Sequence, residues 1–260
     1  MEITINFAEH KDEMHIKKLL SEASLPYEDI SKNICDFLIA SINNEIIGVV
    51  GIEILGEFGL LRSLAVTPSQ QGNGIGKLLC NRMISYASLN GVKKLYLLTT
   101  TAKSFFENFN FKKIAREDVK EVIKNTNEYS EICPVSAVVM VKEICDEVVH
   151  YPKDVLRLQE DVPGSMMWAV SLEKTMVTYF EVNPDCHFEH HHHESEQITF
   201  VIEGELFFDI NGEVHCVKKG ETIAIPSNIP HAVFTNNKSA KAVDAWSPVM
   251  MKYRNKKFDD

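Results

Sequence analysis

Leu60-Leu61-Arg62-Ser63-Leu64-Ala65-Val66-Thr67-Pro68-Ser69-Gln70-Gln71-Gly72-Asn73-Gly74-Ile75-Gly76-Lys77 is the stretch on which the reading of the first half of the chain turns. A strand-like apolar run ends at Pro68, a glycine loop comes next, and Ile75 to Leu89 then carries apolar residues at helical spacing before Asn90-Gly91. A strand that enters a helix through such a loop aims unpaired backbone N–H groups at whatever lies above it, and a pyrophosphate is the natural occupant. Glycines suit the loop because side chains would block the phosphate oxygens and resist the tight turn.

Outward from this loop the pattern alternates between strands and helices. Upstream, Ile3 to Phe7 reads as a strand, Glu9 to Leu20 as a helix, and Phe37–Ala40 with Ile46–Ile52 as a hairpin about Asn43-Asn44. Downstream, Lys94–Thr100 is a buried strand, Ala102–Asn108 a short helix, and Phe111–Ile114 and Ser136–Val141 two further strands. Residues 1–143 therefore predict an α+β domain with a mixed, mostly antiparallel sheet and flanking helices. Residues 144–155, charged and interrupted by Pro152, read as a linker. Residues 156–260 change character: short strands at Thr175–Val182, Glu196–Glu203, Glu205–Ile210, Glu213–Lys218, Thr222–Ile225, His231–Thr235 and Lys241–Trp246 predict an all-β sandwich or barrel.

Composition agrees with two cores, since 260 residues at 45% hydrophobic content suffice for two ordinary domains. No run of about 18 apolar residues suggests a membrane span, and the first residues lack the pattern of a signal peptide, so a cytoplasmic location is expected. The six cysteines lack CxxC spacing and read as reduced residues. Residues 1–143 hold 16 Lys+Arg against 18 Asp+Glu, and residues 144–260 hold 11 against 19, which argues against nucleic acid as a partner.

The Gln71-x-x-Gly74-x-Gly76 loop after Leu64-Ala65-Val66-Thr67-Pro68 resembles the acetyl-CoA loop of the GNAT N-acetyltransferase superfamily over residues 1–143. That resemblance implies that the strand splays from Lys94–Thr100 and that acetyl-CoA lies in the wedge. Leu64, Ala65 and Val66 would then face the pantetheine arm, and Gln71, Gly72, Asn73, Gly74, Ile75, Gly76 and Lys77 the pyrophosphate. Thr99-x-x-Ala102-x-x-Phe105-Phe106-x-x-x-Asn110-Phe111 resembles a second family motif, with Thr99 in place of an Asn, Phe106 in place of a general-acid Tyr and Asn110 in place of a Gly. Phe106 donates no proton, so Cys133, Tyr129 and Ser136 become candidate acids, with Glu53 as base and Arg62 as anchor for a substrate carboxylate. The strings Gly59–Val66, Leu95–Ala102 and Cys133-Pro134-x-Ser136-Ala137 resemble the branch associated with arsenic resistance and phosphinothricin-like substrates. This implies a small amine acceptor, an amino acid or toxic analogue of one.

Seven of the ten histidines fall between His187 and His231, a density that points to metal ligation. His191-x-His193-x-x-x-Gln197-x-x-x-x-x-x-Gly204 followed by Gly220-x-x-x-x-x-Pro226-x-Asn228-x-x-His231 resembles the two motifs of the cupin superfamily, whose fold is a double-stranded β-helix barrel. The resemblance implies a divalent ion, Zn, Ni, Mn or Fe, on His191, His193, Gln197 and His231. On a strand, residues two apart share a face, which would turn His191 and His193 inward together with Gln197. Glutamine at the carboxylate position resembles cupins of the pectin and uronate degradation type, and the family's habit of sheet pairing makes a homodimer plausible on resemblance alone. Three arrangements stay open: two independent activities, a transferase tuned by a cupin sensor, or a working cupin enzyme beside a degenerate transferase.

Overall fold

The computed structural model describes residues 2–32, 34–144 and 148–254. The chain divides into two compact units at Val155/Leu156.

The first unit runs β1 (Thr4–Phe7), α1 (Glu13–Glu22), β2 (Phe37–Ile42), β3 (Glu45–Leu55), β4 (Phe58–Val66), α2 (Ile75–Leu89), β5 (Lys94–Thr99), α3 (Lys103–Glu107), β6 (Lys112–Ile114), α4 (Glu121–Lys124) and β7 (Val138–Glu143). Its sheet has the order β1-β2-β3-β4-β5-β7-β6 and is antiparallel except between β4 and β5. Asn43 and Asn44 both adopt positive φ, the geometry a two-residue hairpin turn demands, and asparagine tolerates it. α2 turns Ile75, Leu79, Cys80, Met83 and Tyr86 into the core, where its apolar spacing meets β2, β3 and β4.

Pairing along β4 decides where a ligand can enter. Its only parallel partners are Phe58–Lys94, Gly59–Leu95 and Leu60–Tyr96, so beyond Leu60 the two strands part. On its other side Val49 faces Ala65 while Gly51 faces Arg62, so three steps on β4 oppose two on β3. That bulge holds Ser63 at φ 56°, and a bulge bends its strand and adds twist.

The segment expected as a linker lies partly outside the described residues, at 145–147. Its remainder packs on the first unit: Asp154 pairs with Arg82 at 2.8 Å, the Ser85 hydroxyl donates to His150 O at 2.9 Å, and Val155 is fully buried. Short apolar content hid these contacts, which run through side chains of α2 rather than through a periodic pattern.

The second unit is all β: β8 (Gln159–Val162), β9 (Ser165–Ser171), β10 (Met176–Val182), β11 (His187–His191), β12 (Glu196–Glu203), β13 (Glu205–Ile210), β14 (Glu213–Lys218), β15 (Thr222–Ile225), β16 (His231–Phe234) and β17 (Ala240–Ser247), then α5 (Met251–Arg254). One sheet has the order β15-β12-β17-β10-β9-β8, the other β11-β16-β13-β14. Phe180, Val182, Val201, Leu206, Phe208, Val217 and Ile225 form its core. β8, β9 and β11 escape the sequence reading because Gln159 to Ser171 alternates weakly and His187 to His191 has no apolar face.

Gly204 turns β12 into β13 at φ 73°, and a Cβ there would collide with the Ser239 carbonyl. Gly204→Ala is expected to lower the unfolding free energy of the second unit by about 2 kcal/mol, read by urea denaturation.

Candidate functional site

The first site lies where β4 leaves β5. Beyond Leu60 β4 has no parallel neighbour on β5, so the backbone groups of Leu64 to Val66 that point to that side are not taken up by the ladder. Gly74 caps α2 at φ 81°, and the first bond across the cap runs from Leu78 N–H to Gly74 O at 2.9 Å. The amides of Ile75, Gly76 and Lys77 precede that bond and have no intrahelical acceptor, so the helix start presents donors and a positive dipole end. Gln71 braces the loop by donating from Nε2 to Val66 O at 3.0 Å, and Asn73 donates to Gln70 at 3.4 Å. Gly76 sits beside Phe105 of α3 and Val66 of β4, so the three elements meet around this opening.

Thr99, at the end of β5, accepts the Ala102 amide at 3.0 Å and thereby starts α3. Asn110 adopts φ 64°, which explains why asparagine stands in a glycine position of the motif. Phe106 is buried and packs edge-on against Phe105 and Phe111, a purely structural role.

Arg62 is not a free anchor. Its guanidinium, 4% exposed, contacts Asp29 at 2.7 Å, Glu53 at 2.8 Å and Glu128 at 3.1 Å. Three carboxylates around one guanidinium leave no fork open for a substrate carboxylate and surround it with negative charge. Asp29 and Glu128 are invisible to motif reading because they lie 33 residues before and 66 after Arg62; only the fold assembles them. Glu128 begins a π-turn, Glu128–Ile132, closed by Cys133 N–H to Glu128 O at 2.9 Å. Burial pushes the Glu128 carboxyl up, against the lowering effect of Arg62. The Cys133 thiol donates to Glu128 Oε1 at 3.2 Å, and burial, then Glu128, push it up to about 12. It is a protonated thiol whose hydrogen is already committed. Tyr129 donates to Arg116 O at 3.4 Å, and Ser136 is exposed in a turn.

The second site is a knot of imidazoles. His191 ends β11 directly opposite His231 of β16, and their rings lie 4.4 Å apart. His193, expected on a strand face, comes after β11 in the connection to β12; its ring reaches the others at 5.7 and 5.1 Å because Nδ1 is held by Ser195 O at 2.6 Å. His191 and His231 likewise place Nδ1 on the carbonyls of Glu189 and Ile229, both at 2.8 Å. A carbonyl only accepts, so each Nδ1 carries the proton and each Nε2 keeps a lone pair. One ring nitrogen from each of the three lies within 4.8 Å of the others.

Gln197 completes the set from β12, with Oε1 3.2 Å from His193 Nε2. Both atoms are acceptors in this tautomer, and among the described residues His231 Nε2 is buried without a hydrogen-bond partner. Converging lone pairs repel unless a cation lies among them, so the residues fit a divalent metal ion. Burial first, then the neighbouring histidines, push His231 down to about 4, and burial lowers His191, so both rings are neutral near pH 7, as ligation requires. The cavity beside them measures about 40 Å³ and is walled by Phe180, Phe188, Phe208, Trp246 and Tyr253, with Asp244 as its buried acid. That volume admits an ion with one or two waters or a small ligand group. Burial pushes Asp244 up to about 7. His187, His190, His192 and His215 are exposed.

Residues 33–113 match the family described as acetyltransferase (GNAT) domain, and residues 178–246 match the cupin domain family. An uncharacterized N-acetyltransferase of Chlorobaculum tepidum is 32% identical over 91 residues, covering 35% of this chain and 58% of that protein. N-acetylglutamate synthase of Neisseria gonorrhoeae, solved with coenzyme A and L-arginine, is similar at 21% identity and a TM-score of 0.47, covering 55% of this chain and 33% of that one. KdgF from a Halomonas species is similar at 21% identity and a TM-score of 0.35, covering 36% and 87%. The chain thus spans little more than half of that curated relative. It carries a GNAT acetyltransferase domain followed by a cupin domain.

Arg62→Leu leaves three carboxylates without their cation and is expected to cost the first unit about 3–5 kcal/mol at pH 7. The loss should shrink as pH falls toward 4 and the carboxylates protonate, which urea unfolding at pH 7 and pH 5 measures. In the metal-free second unit, His231 and His191 titrate below their ordinary 6.5. The contribution of these two histidines to stability is expected to be full above that pH and to fall as pH drops toward 4, since the unfolded chain then binds the extra protons. Asp244, pushed up to about 7, contributes with the opposite sign and is removed from the comparison by using Asp244→Leu as the background. Adding a divalent metal should oppose the loss at pH 6 in the same assay.

Proposed function

We propose that the chain is an acetyl-CoA-dependent N-acyltransferase acting on a small amine, with a transferase domain at 1–143 and a metal-binding cupin at 156–260. The observation that carries this reading is the parting of β4 from β5 beside a helix start rich in free amides. In this scheme the amides of Gly72 to Lys77 receive the pyrophosphate, and Leu64 to Val66 bond the pantetheine arm. A β4 amide bonds the thioester oxygen as it gains negative charge. The amine nitrogen attacks the thioester carbon, the C–S bond breaks, the nitrogen loses a proton to a carboxylate of the Asp29–Glu53–Glu128 group, and the coenzyme A thiolate takes up a proton from water.

Because Arg62 is already surrounded by carboxylates, the acceptor is drawn by its ammonium group rather than by a carboxylate. An amino acid or a toxic analogue, including the phosphinothricin-like and arsenic-containing ones, belongs to this class through its amine. In the cupin, His191, His193, Gln197 and His231 would hold the ion, which supplies Lewis acidity when bound. A neutral ligand set leaves the ion its full charge and favours a small anionic ligand, the basis for a sensory role beside the catalytic one. Two copies would pair through the outer face of the six-stranded sheet, where β12 exposes Ile198 and Phe200 at 51% and 45%.

Release of the coenzyme A thiol by the full chain, assayed against a panel of amines and amino acids, tests the transferase. One or a few amines should stimulate release at least tenfold, and Gly74→Val should raise the KM for acetyl-CoA by obstructing the loop. Binding of acetyl-CoA without stimulation by any amine would defeat the reading. His231→Ala should abolish stoichiometric metal binding; unchanged transfer would then mark independent activities, and a changed KM a sensor.

A further inference from the structure

Asp244 is the acid at the centre of the second unit that the ligand set leaves unexplained. It lies on β17 opposite Thr199 of β12 and is 6% exposed, with Oδ1 making no hydrogen bond among the described residues. Its other oxygen, Oδ2, accepts from Gln197 Nε2 at 3.3 Å, while Thr199 Oγ1 accepts from the same nitrogen at 3.0 Å. The two ends of the Gln197 amide are thereby committed: both hydrogens point away from the imidazoles and Oε1 faces His193 Nε2 at 3.2 Å.

We infer that Asp244 is a positioning residue that fixes which end of the Gln197 amide is presented to the three histidines. The inference rests on the metal-binding reading of that site. A primary amide is almost symmetric in shape, so packing alone does not choose between oxygen and nitrogen facing inward. Only the oxygen end serves a cation; an inward NH₂ would remove the fourth ligand and add two partial positive charges. Thr199 does not decide the matter, because a hydroxyl donates as readily as it accepts. In the structure Asp244 Oδ2 takes the Nε2–H end of the amide, and a reversed amide would instead set its oxygen against Oδ2 in a buried site, where like partial charges repel strongly. The sequence thus places a neutral group among the ligands and a carboxylate one hydrogen bond further out, where it acts through the amide.

Asp244→Leu is nearly isosteric and replaces a buried acid by an apolar group, an exchange that folded cores tolerate. Titration calorimetry of the full chain with Zn²⁺ and with Ni²⁺ should show affinity reduced about 10–100-fold by this change. In the Gln197→Ala background there is no amide to orient, and Asp244→Leu should alter affinity less than twofold. Equal losses in both backgrounds, or no loss in either, would overturn the inference by reducing Asp244 to a packing residue. A second measurement needs no metal: in the metal-free chain the Gln197 side-chain amide protons should give nuclear Overhauser contacts to Thr199 and none to His193. Contacts to His193 would overturn the inference even if wild-type chain bound no metal, an outcome that would separately defeat the metal reading.

Discussion

Backbone amides must find acceptors, and the parallel ladder between β4 and β5 supplies them only as far as Leu60. β4 loses its parallel partner there, and the bulge at Ser63 turns Leu64 to Val66 away from β5. The site in the first unit depends on that loss of pairing. The start of α2 adds the amides of Ile75, Gly76 and Lys77, which have no intrahelical acceptor. Such amides are tolerable only at an opening, where water or a ligand oxygen completes them.

Charge completes the picture on β4. Arg62 precedes the bulge and gathers Asp29, Glu53 and Glu128 from three different segments. A buried guanidinium needs such partners, since an unpaired one would not survive desolvation. The same contacts tie the π-turn at Glu128, and through it the Cys133 thiol, to Arg62. A residue that sequence patterning offers as a ligand for a substrate is therefore first a keystone of the fold.

In the second unit the governing interaction is repulsion. Backbone carbonyls fix the protons of His191, His193 and His231 on Nδ1, which forces three lone pairs and the Gln197 oxygen to share one small space. Aromatic side chains line the cavity beside them. The outer shell is as ordered as the inner: Trp246 donates to Thr178 at 2.8 Å and lays its ring 5.2 Å from that of His193, while Asp244 and Thr199 hold the glutamine.

Periodicity and turn chemistry made most strands and α2 legible, because the sheets bury one face and Asn43-Asn44 and Asn211-Gly212 can take positive φ. Spacing also identified His191, His193, Gln197 and His231, since motif residues close in sequence reach a common point on adjacent strands. β8, β9 and β11 were not legible: their residues lack clean alternation and are strands because their neighbours pair with them. Arg62, Glu53 and Cys133 were recognisable as chemistry but not as a network, because Asp29 and Glu128 join them only through long-range packing. By itself the sequence determined two domains, the glycine loop and the histidines that converge in the second unit, all of which depend on local spacing. Tertiary structure alone decided that Arg62 is ringed by three carboxylates, that His193 stands off the strand and that Asp244 meets the Gln197 amide, because each depends on which distant side chains share a buried volume.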